Sequence, residues 1–117
     1  MEEIPVDYGK KKKSAPKESS MYKKIQDAAA RLGYTLYRNQ VGTYKIGNRW
    51  ISSGLCVGAS DLIGHSSNGR FVAVEVKLPG KKPTPVQQKF IDRVKYAGGI
   101  AGVVTSVDEL IQLLKQN

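Results

Sequence analysis

One stretch of the sequence, from Phe71 to Lys77, limits the possible folds more than any other. Apolar and branched residues dominate it, which is typical of a buried β-strand, but Glu75 and Lys77 interrupt the apolar run. Because strand side chains alternate between faces, we expect Glu75 and Lys77 on one face and Val74 and Val76 on the other. A charge on a buried strand costs several kcal/mol unless it is paired or coordinates a metal. The segment therefore predicts a packed sheet that carries a charged group with a specific role.

The patterns on either side of this strand predict an α/β fold. Proline-led starts and capping boxes predict helices, and short runs of β-forming residues between turn residues predict strands. The first half of the chain is predicted to contain a helix from Pro16 to Gly33, a strand at 34–39 and a hairpin or long loop at 40–57. A short strand at 61–64, a turn at 65–69 and the strand at 70–77 follow. The last part is predicted to contain a helix from a capping box at 84–87 to the glycines at 98–99, a fully buried strand at 100–104 and a helix after a second capping box at 106–109. This order predicts a mixed β-sheet flanked by helices.

The composition is that of one globular domain with an excess of positive charge. A chain of 117 residues with 40% hydrophobic residues suffices for one packed domain and is not disordered throughout. Lys and Arg outnumber Asp and Glu by 19 to 10, a formal net charge of +9, which favours a polyanionic partner such as nucleic acid. The alternative is that the basic residues serve only solubility. No apolar run approaches the roughly 20 residues of a membrane helix, so no membrane partner is expected.

Residues 1–15 are predicted to form a basic, flexible tail ahead of the domain. Lys10, Lys11, Lys12 and Lys13 form a block of like charge with little apolar sequence around it. Two interpretations stay open, an arm that grips phosphates and an arm that only solubilises the protein. The start of the chain lacks the basic and apolar segments of a secretory signal, so a cytoplasmic location is expected, in a bacterial host cell if the protein is viral.

Asp61 supplies a second carboxylate close to the charged strand. It opens the preceding short strand, and a tight hairpin between the two strands would bring it beside Glu75. The single cysteine, Cys56, and the single histidine, His65, leave no zinc site of the usual types, so a bound metal would be a hard ion held by carboxylates. Two carboxylates and Lys77 suit phosphodiester hydrolysis with Mg²⁺ or Mn²⁺. The alternative is a structural ion pair between Glu75 and Lys77 on an exposed sheet edge.

The order of the motifs along the chain resembles a known family. The Asp…Glu-x-Lys pattern is similar to the core of the PD-(D/E)XK nucleases, and the motifs around it resemble the virus-type replication-repair nuclease (VRR-NUC) branch. These motifs are Glu18, Arg38-Asn39, Gly54…Gly58-Ala59-Ser60-Asp61, Glu75-Val76-Lys77, Pro85-Val86-Gln87-Gln88-Lys89-Phe90 and Gly98-Gly99-Ile100-Ala101. The resemblance covers about residues 18–114 and implies a restriction-endonuclease-like core in a nuclease domain at residues 16–117.

The resemblance also implies roles for individual residues. Asp61, Glu75 and the carbonyl of Val76 would hold Mg²⁺ or Mn²⁺, and Lys77 would be the catalytic lysine. Glu18 would complete the acidic site and Gln87 would hydrogen-bond to it, although a capping box also explains a glutamine at that position. Arg38 and Asn39, together with the lysines at 10–13, are expected to contact nucleic acid.

These features favour a metal-dependent DNA endonuclease over other function classes. A small nuclease domain of this kind is similar to Holliday-junction resolvases, so we expect a homodimer that cuts branched DNA, at junctions or flaps. The alternatives are a nicking or general nuclease without branch preference, a DNA-binding module that no longer cuts, and a basic structural protein. The aromatic residues Tyr34, Tyr37 and Trp50 could stack on bases, although strand aromatics more often pack in the core.

Overall fold

A computed structural model describes residues 17–117 of the chain. The predicted tail, with Lys10 to Lys13, lies outside these residues, as does Pro16. The described elements are a 3₁₀ turn at Glu18–Met21, α1 (Tyr22–Arg31), β1 (Tyr34–Arg38), β2 (Gly42–Ile46), β3 (Arg49–Ser53), β4 (Leu62–Ser66), β5 (Phe71–Val76), α2 (Pro85–Tyr96), β6 (Ile100–Val104) and α3 (Val107–Lys115).

Four of the strands form one mixed sheet in the order β1-β4-β5-β6. The first three are antiparallel neighbours, and β5 and β6 are parallel because α2 connects them. Leu62 lies opposite Val74 in the β4–β5 hairpin. This register places Asp61, one residue before β4, next to Glu75, as the sequence predicts.

Helices cover both faces of this sheet. Helices α1 and α3 pack on one face around a core that includes Ile25, Val74, Val76 and Leu110. Helix α2 packs on the other face, where Ile91 meets Ala73 and Ala101. Strand alternation therefore puts Glu75 and Lys77 on the same side as Ala73, the side of α2. The predicted mixed sheet flanked by helices is confirmed.

Of the three helix starts, that of α2 follows the sequence fully, that of α3 follows it in part, and that of α1 departs from it. At α2 the capping box is complete, because Thr84 and Gln87 exchange hydrogen bonds between side chain and backbone N–H. At α3, Ser106 accepts from Glu109 N–H, but the Glu109 carboxylate accepts from Thr105 rather than from Ser106 N–H. Helix α1 begins only at Tyr22, after the 3₁₀ turn. In that turn the hydroxyl of Ser20 donates to Lys17 C=O, a local bond that competes with regular helix.

Two strand predictions need correction, and the hairpin alternative predicted for residues 40–57 is confirmed. Strand β4 continues through His65 and Ser66, which pair with β1, so the predicted turn at 65–69 begins later. Strand β6 is the edge of the sheet, and its residues Gly102 and Val103 are only partly buried, although a fully buried strand is expected from composition. The segment 40–57 contains the hairpin of β2 and β3, which forms a separate two-stranded sheet. Within residues 17–117, no helix is long and apolar enough to cross a membrane.

Candidate active site

Asp61 and Glu75 meet at the end of the β4–β5 hairpin that lies away from its turn. The backbone N–H of Val76 donates to Asp61 Oδ2 across 2.9 Å, which fixes the aspartate against β5. The backbone N–H of Asn39 donates to the carbonyl of Asp61 across 2.8 Å, which continues the β1–β4 pairing by one residue. Asp61 is therefore held from both neighbouring strands of the sheet.

Glu75 is a buried carboxylate with an incomplete set of partners. Only 1% of its surface is exposed, and its Oε1 accepts no hydrogen bond. Its Oε2 lies 3.6 Å from the Nζ of Lys77, whose side chain is 14% exposed. Burial raises the pKa of Glu75 to about 8, and the charge of Asp61 contributes to this rise while Lys77 opposes it. A positive charge in addition to that of Lys77 would allow the carboxylates of Asp61 and Glu75 to be ionised at the same time.

These two carboxylates fit a small divalent cation. Within residues 17–117, no three side chains of His, Cys, Asp or Glu converge closely enough to hold a metal by themselves. Mg²⁺ does not require three, because it is commonly bound by one or two carboxylates and keeps several water ligands. The buried Oε1 of Glu75 is the type of unsatisfied oxygen that a cation satisfies. Asp61 and Glu75 would hold the ion, with the carbonyl of Val76 as the predicted further ligand.

Two glycines shape the loop that leads to Asp61. Gly54 and Gly58 have φ of +90° and +88°, a region that side chains other than glycine rarely adopt. A Cβ at Gly54 would lie 2.6 Å from the Cα of Val41, and one at Gly58 would lie 2.9 Å from the carbonyl O of Val86 at the start of α2. The loop can therefore lie against both the residue before β2 and the first turn of α2 only with glycine at these positions. This is the physical reason for the Gly…Gly-x-x-Asp spacing.

The side chain of Asn39 joins the two ends of this loop. Its Nδ2 donates to the carbonyl of Ser60 across 2.9 Å, and its Oδ1 accepts from Leu55 N–H, also at 2.9 Å. The amide is thus occupied inside the protein in the structure described. Its expected role in contacting nucleic acid stays a prediction, and its observed contacts are those of a residue that positions the loop.

A cleft of about 340 Å³ opens beside Asp61. Its lining includes Gln87 from the first turn of α2, Arg38 from the end of β1, and Tyr22 from the start of α1. The carboxamide oxygen of Gln87 accepts from Thr84 N–H in the capping box, and this bond does not use the amide N–H groups of the side chain. The capping role and the predicted site role are therefore compatible.

Tyr22 is a site residue that the sequence patterns did not identify. The guanidinium carbon of Arg38 lies 4.3 Å from the centre of its ring, a cation–π contact. Burial and the neighbouring Asp61 raise the pKa of Tyr22 to about 12. The only sequence signal for a site role of Tyr22 is its position four residues after Glu18. This signal can be interpreted only when the start of α1 at Tyr22 is known.

Glu18 lies at the same end of β5 as the other acidic residues but has its own partner. Its Oε2 accepts from Leu78 N–H across 3.1 Å, one residue beyond Lys77. The structure thus brings Asp61, Glu75 and Lys77 together, and Glu18 contacts the backbone just beyond the end of β5. Its predicted contribution to the acidic site stays a prediction.

Comparison with known proteins identifies the family. The family model of the VRR-NUC domain matches residues 17–108. A solved structure described as "VRR_NUC domain" superposes with a TM-score of 0.60 at 26% identity, over 86% of this chain and 97% of that chain. Another, described as "VRR_NUC domain protein", has a TM-score of 0.54 at 16% identity over 89% of each chain, which supports the fold alone. No curated protein matches the chain significantly.

These matches confirm the resemblance inferred from the motifs. The matched residues 17–108 contain the whole constellation of Asp61, Glu75 and Lys77 and the glycine loop that leads to it. The chain therefore belongs to the VRR-NUC family of nucleases, and its mixed sheet is the restriction-endonuclease-like core of that family.

Proposed function

We propose that this protein is a metal-dependent DNA endonuclease that cuts branched DNA as a homodimer. The observation that carries the proposal is the buried Glu75, which has one unsatisfied oxygen, is influenced by the charge of Asp61 and lies 3.6 Å from the ammonium of Lys77. A structural ion pair alone would not require a second carboxylate that raises the pKa of the first. The arrangement suits a divalent cation and a phosphodiester substrate.

Each residue of the site has a defined task in this proposal. A divalent ion held by Asp61 and Glu75 would polarise the phosphate and acidify the attacking water. Lys77 lies on the same face as Glu75 and would orient that water by hydrogen bonding and stabilise the negative charge that develops on the phosphate. Gln87 would donate its amide N–H to the substrate or to the water from the α2 side of the cleft. Glu18, bonded to Leu78 N–H, would hold the end of β5 in position.

Positive charge around the cleft supports a nucleic-acid substrate. The chain carries a formal net charge of +9, and Arg38 lines the cleft beside Asp61. Neutralisation of phosphates by Lys and Arg releases condensed counterions, which favours binding without sequence preference. Arg38, and the lysines at 10–13 if they reach the DNA, would hold the backbone while the acidic site cuts it.

The preference for branched DNA rests on the size of the domain. A chain this short buries a limited core, so association of two copies would add stability. A two-fold dimer would also present two equivalent sites to the two equivalent strands of a junction. Mass measurement by sedimentation at several protein concentrations would establish whether the dimer exists.

A cleavage assay separates this proposal from its rivals. Linear duplex, flap and four-way-junction DNA of equal length would be incubated with the protein in Mg²⁺, Mn²⁺ or EDTA. The proposal predicts cleavage with metal only, and faster on the branched substrates than on the linear duplex. Equal rates on all three would indicate a general nuclease, and tight binding without cleavage would indicate a silent DNA-binding module.

A further inference from the structure

The β2–β3 hairpin, residues 42–53, is exposed on both of its faces. It forms a two-stranded sheet of its own, separate from the main sheet. Its residues are exposed except Gly42 and Ser53 at its base, which are partly buried. An isolated two-stranded hairpin is only marginally stable in water, so exposure of both faces is a cost for the fold. A binding role for one of the faces would explain why the chain retains it.

The two faces of the hairpin differ in chemistry. Lys45 pairs with Trp50, and Thr43 pairs with Ser52, so these four residues share one face. Trp50 is 68% exposed, and the Nζ of Lys45 lies 5.7 Å from the centre of its ring. The other face carries the apolar side chains of Tyr44, Ile46 and Ile51 with Arg49. The Lys45–Trp50 face thus presents one large aromatic ring, one cation and two hydroxyl groups.

The charge of this region selects the kind of partner. Between residues 39 and 60 the sequence contains Lys45 and Arg49 but no Asp or Glu. An exposed aromatic ring beside a cation, without any nearby acid in the segment, is complementary to a polyanion whose subunits have flat faces. Nucleic-acid bases stack on such rings, and the adjacent phosphates pair with the cation.

The hairpin begins at the wall of the cleft. Gln40 and Val41, which precede β2, line the cleft together with Asp61. The hydroxyl of Ser53, at the end of β3, donates to Gln40 C=O across 3.0 Å and closes the base. Trp50 lies three residues from that base, a distance of about 10 Å at ~3.3 Å per strand residue. Trp50 is therefore close enough to the wall of the cleft for one nucleic-acid strand to contact both.

We propose that the Lys45–Trp50 face of the hairpin binds an unpaired base of the DNA substrate, with Trp50 stacking on the base and Lys45 contacting its phosphate. The inference rests on the proposed nuclease function and extends it, because it assigns recognition of single-stranded or unstacked DNA near the cut to a defined residue. A second copy of the chain is a less suitable partner for this face. Self-association would favour the more apolar face with Tyr44 and Ile51, which lies on the opposite side of the hairpin.

Trp50 is the only tryptophan in the chain, so its fluorescence reports on this site directly. The unmodified protein would be titrated in EDTA with single-stranded DNA and with blunt duplex of the same sequence. We expect single-stranded DNA to quench the emission by stacking, and blunt duplex to quench it far less. Unchanged emission on binding single-stranded DNA would overturn the inference. So would a blue shift that appears with protein concentration alone, because it would mean that a second copy buries Trp50.

Three variants test the same contact by affinity. Base stacking on an aromatic ring predicts that Trp50→Ala weakens binding of labelled single-stranded DNA by about 5- to 150-fold. Trp50→Phe, which keeps an aromatic ring, should restore most of the affinity, and Tyr96→Ala serves as the control because Tyr96 is 95% exposed on α2. Equal affinity of Trp50→Ala and the unmodified protein would contradict the inference.

The measurement in EDTA is independent of cleavage. If Trp50 is quenched by single-stranded DNA but no metal supports cutting, the proposed nuclease activity is wrong and the binding site is correct. If cleavage occurs and Trp50 neither responds to DNA nor affects its affinity, the nuclease activity is correct and the binding site is wrong. Because Trp50 is exposed, the variants should fold, which circular dichroism checks, and the titration of the unmodified protein requires no substitution.

Discussion

Asp61 Oδ2 accepts a hydrogen bond from the backbone N–H of Val76, with 2.9 Å between the two atoms. The bond joins the residue before β4 to the last residue of β5, so it fixes the register of the hairpin at the end that bears the acidic site. The same bond keeps the aspartate beside Glu75, whose carboxylate is on the adjacent residue of β5. The backbone thus brings together two carboxylates that would otherwise repel each other.

The first prediction concerns stability against pH without metal. Because burial and Asp61 raise the pKa of Glu75 from 4.5 to about 8, protonated Glu75 stabilises the folded state. This contribution is complete below the unfolded pKa and is lost as pH rises through the folded pKa. We therefore expect the free energy of unfolding in EDTA to fall between about pH 5 and pH 8.5. Urea denaturation at a series of pH values measures it.

Glu75→Gln is the matched control for that measurement. Glutamine has nearly the same shape and no carboxyl proton, so the fall with pH should largely disappear. An equally steep profile in the variant would assign the pH dependence to another group. With the unmodified protein, added Mg²⁺ should stabilise more at the higher pH, because the ion and the proton compete for the same oxygens.

The second prediction concerns Asn39 as a positioning residue. Asn39→Ala removes both hydrogen bonds of the amide and leaves the Ser60 carbonyl and the Leu55 N–H without those partners. We expect a decrease of about 1–3 kcal/mol in the free energy of unfolding, together with slower cleavage. Asn39→Asp keeps the acceptor for Leu55 N–H but turns a carboxylate oxygen towards the Ser60 carbonyl, so it should be destabilised as well. A variant as stable as the parent would mean that the loop does not depend on Asn39.

The third prediction concerns the tyrosine that the sequence patterns missed. Tyr22→Phe keeps the ring under Arg38 and removes the hydroxyl next to Asp61. Loss of the hydroxyl that neighbours the Asp61 carboxylate predicts a rate lower by about 5- to 30-fold, or about 1–2 kcal/mol in the barrier. The free energy of unfolding should change little. Tyr96→Phe, at an exposed position, should leave both quantities unchanged, and the same rate in both variants would exclude Tyr22 from the site.

The acidic pair could be predicted from sequence because it depends on local geometry. The alternation of β5 and the short turn after β4 suffice to place Asp61 near Glu75, without knowledge of the rest of the fold. The α2 capping box was predictable for the same reason, since Thr84 and Gln87 are close in the chain.

Features that depend on tertiary packing were not predictable in this way. Tyr22 reaches Asp61 only because α1 packs on the sheet in a particular rotation, and the exposure of Trp50 follows from the separation of β2–β3 from the main sheet. At α3, the carboxylate of Glu109 has two nearby donors and bonds to Thr105 instead of Ser106 N–H. A sequence pattern does not show which of these two donors the Glu109 carboxylate will accept from.

The fourth prediction concerns the lysines at 10–13, which lie outside the described residues. If they grip phosphates, replacing all four with alanine should weaken DNA binding and make the slope of log affinity against log salt shallower, by about 0.9 for each duplex phosphate that the variant no longer neutralises. The rate at saturating DNA should be unchanged, because the segment contains no acid or base for the chemistry. An unchanged slope would leave the lysines with a solubilising role. Lys23→Ala, whose side chain pairs with Asp27 on the surface, is the control.

The most direct test of the central claim is the single-turnover cleavage rate of a four-way junction in Mg²⁺. Asp61→Asn keeps an acceptor for Val76 N–H but removes the charge, and Lys77→Ala removes the ammonium 3.6 Å from Glu75. Both should cut at least about 100-fold more slowly than the unmodified protein, with the fold retained. Asp27→Asn, at an exposed ion pair, should cut normally. Undiminished cleavage by folded Asp61→Asn or Lys77→Ala, or equal cleavage by the unmodified protein in EDTA, would contradict the account.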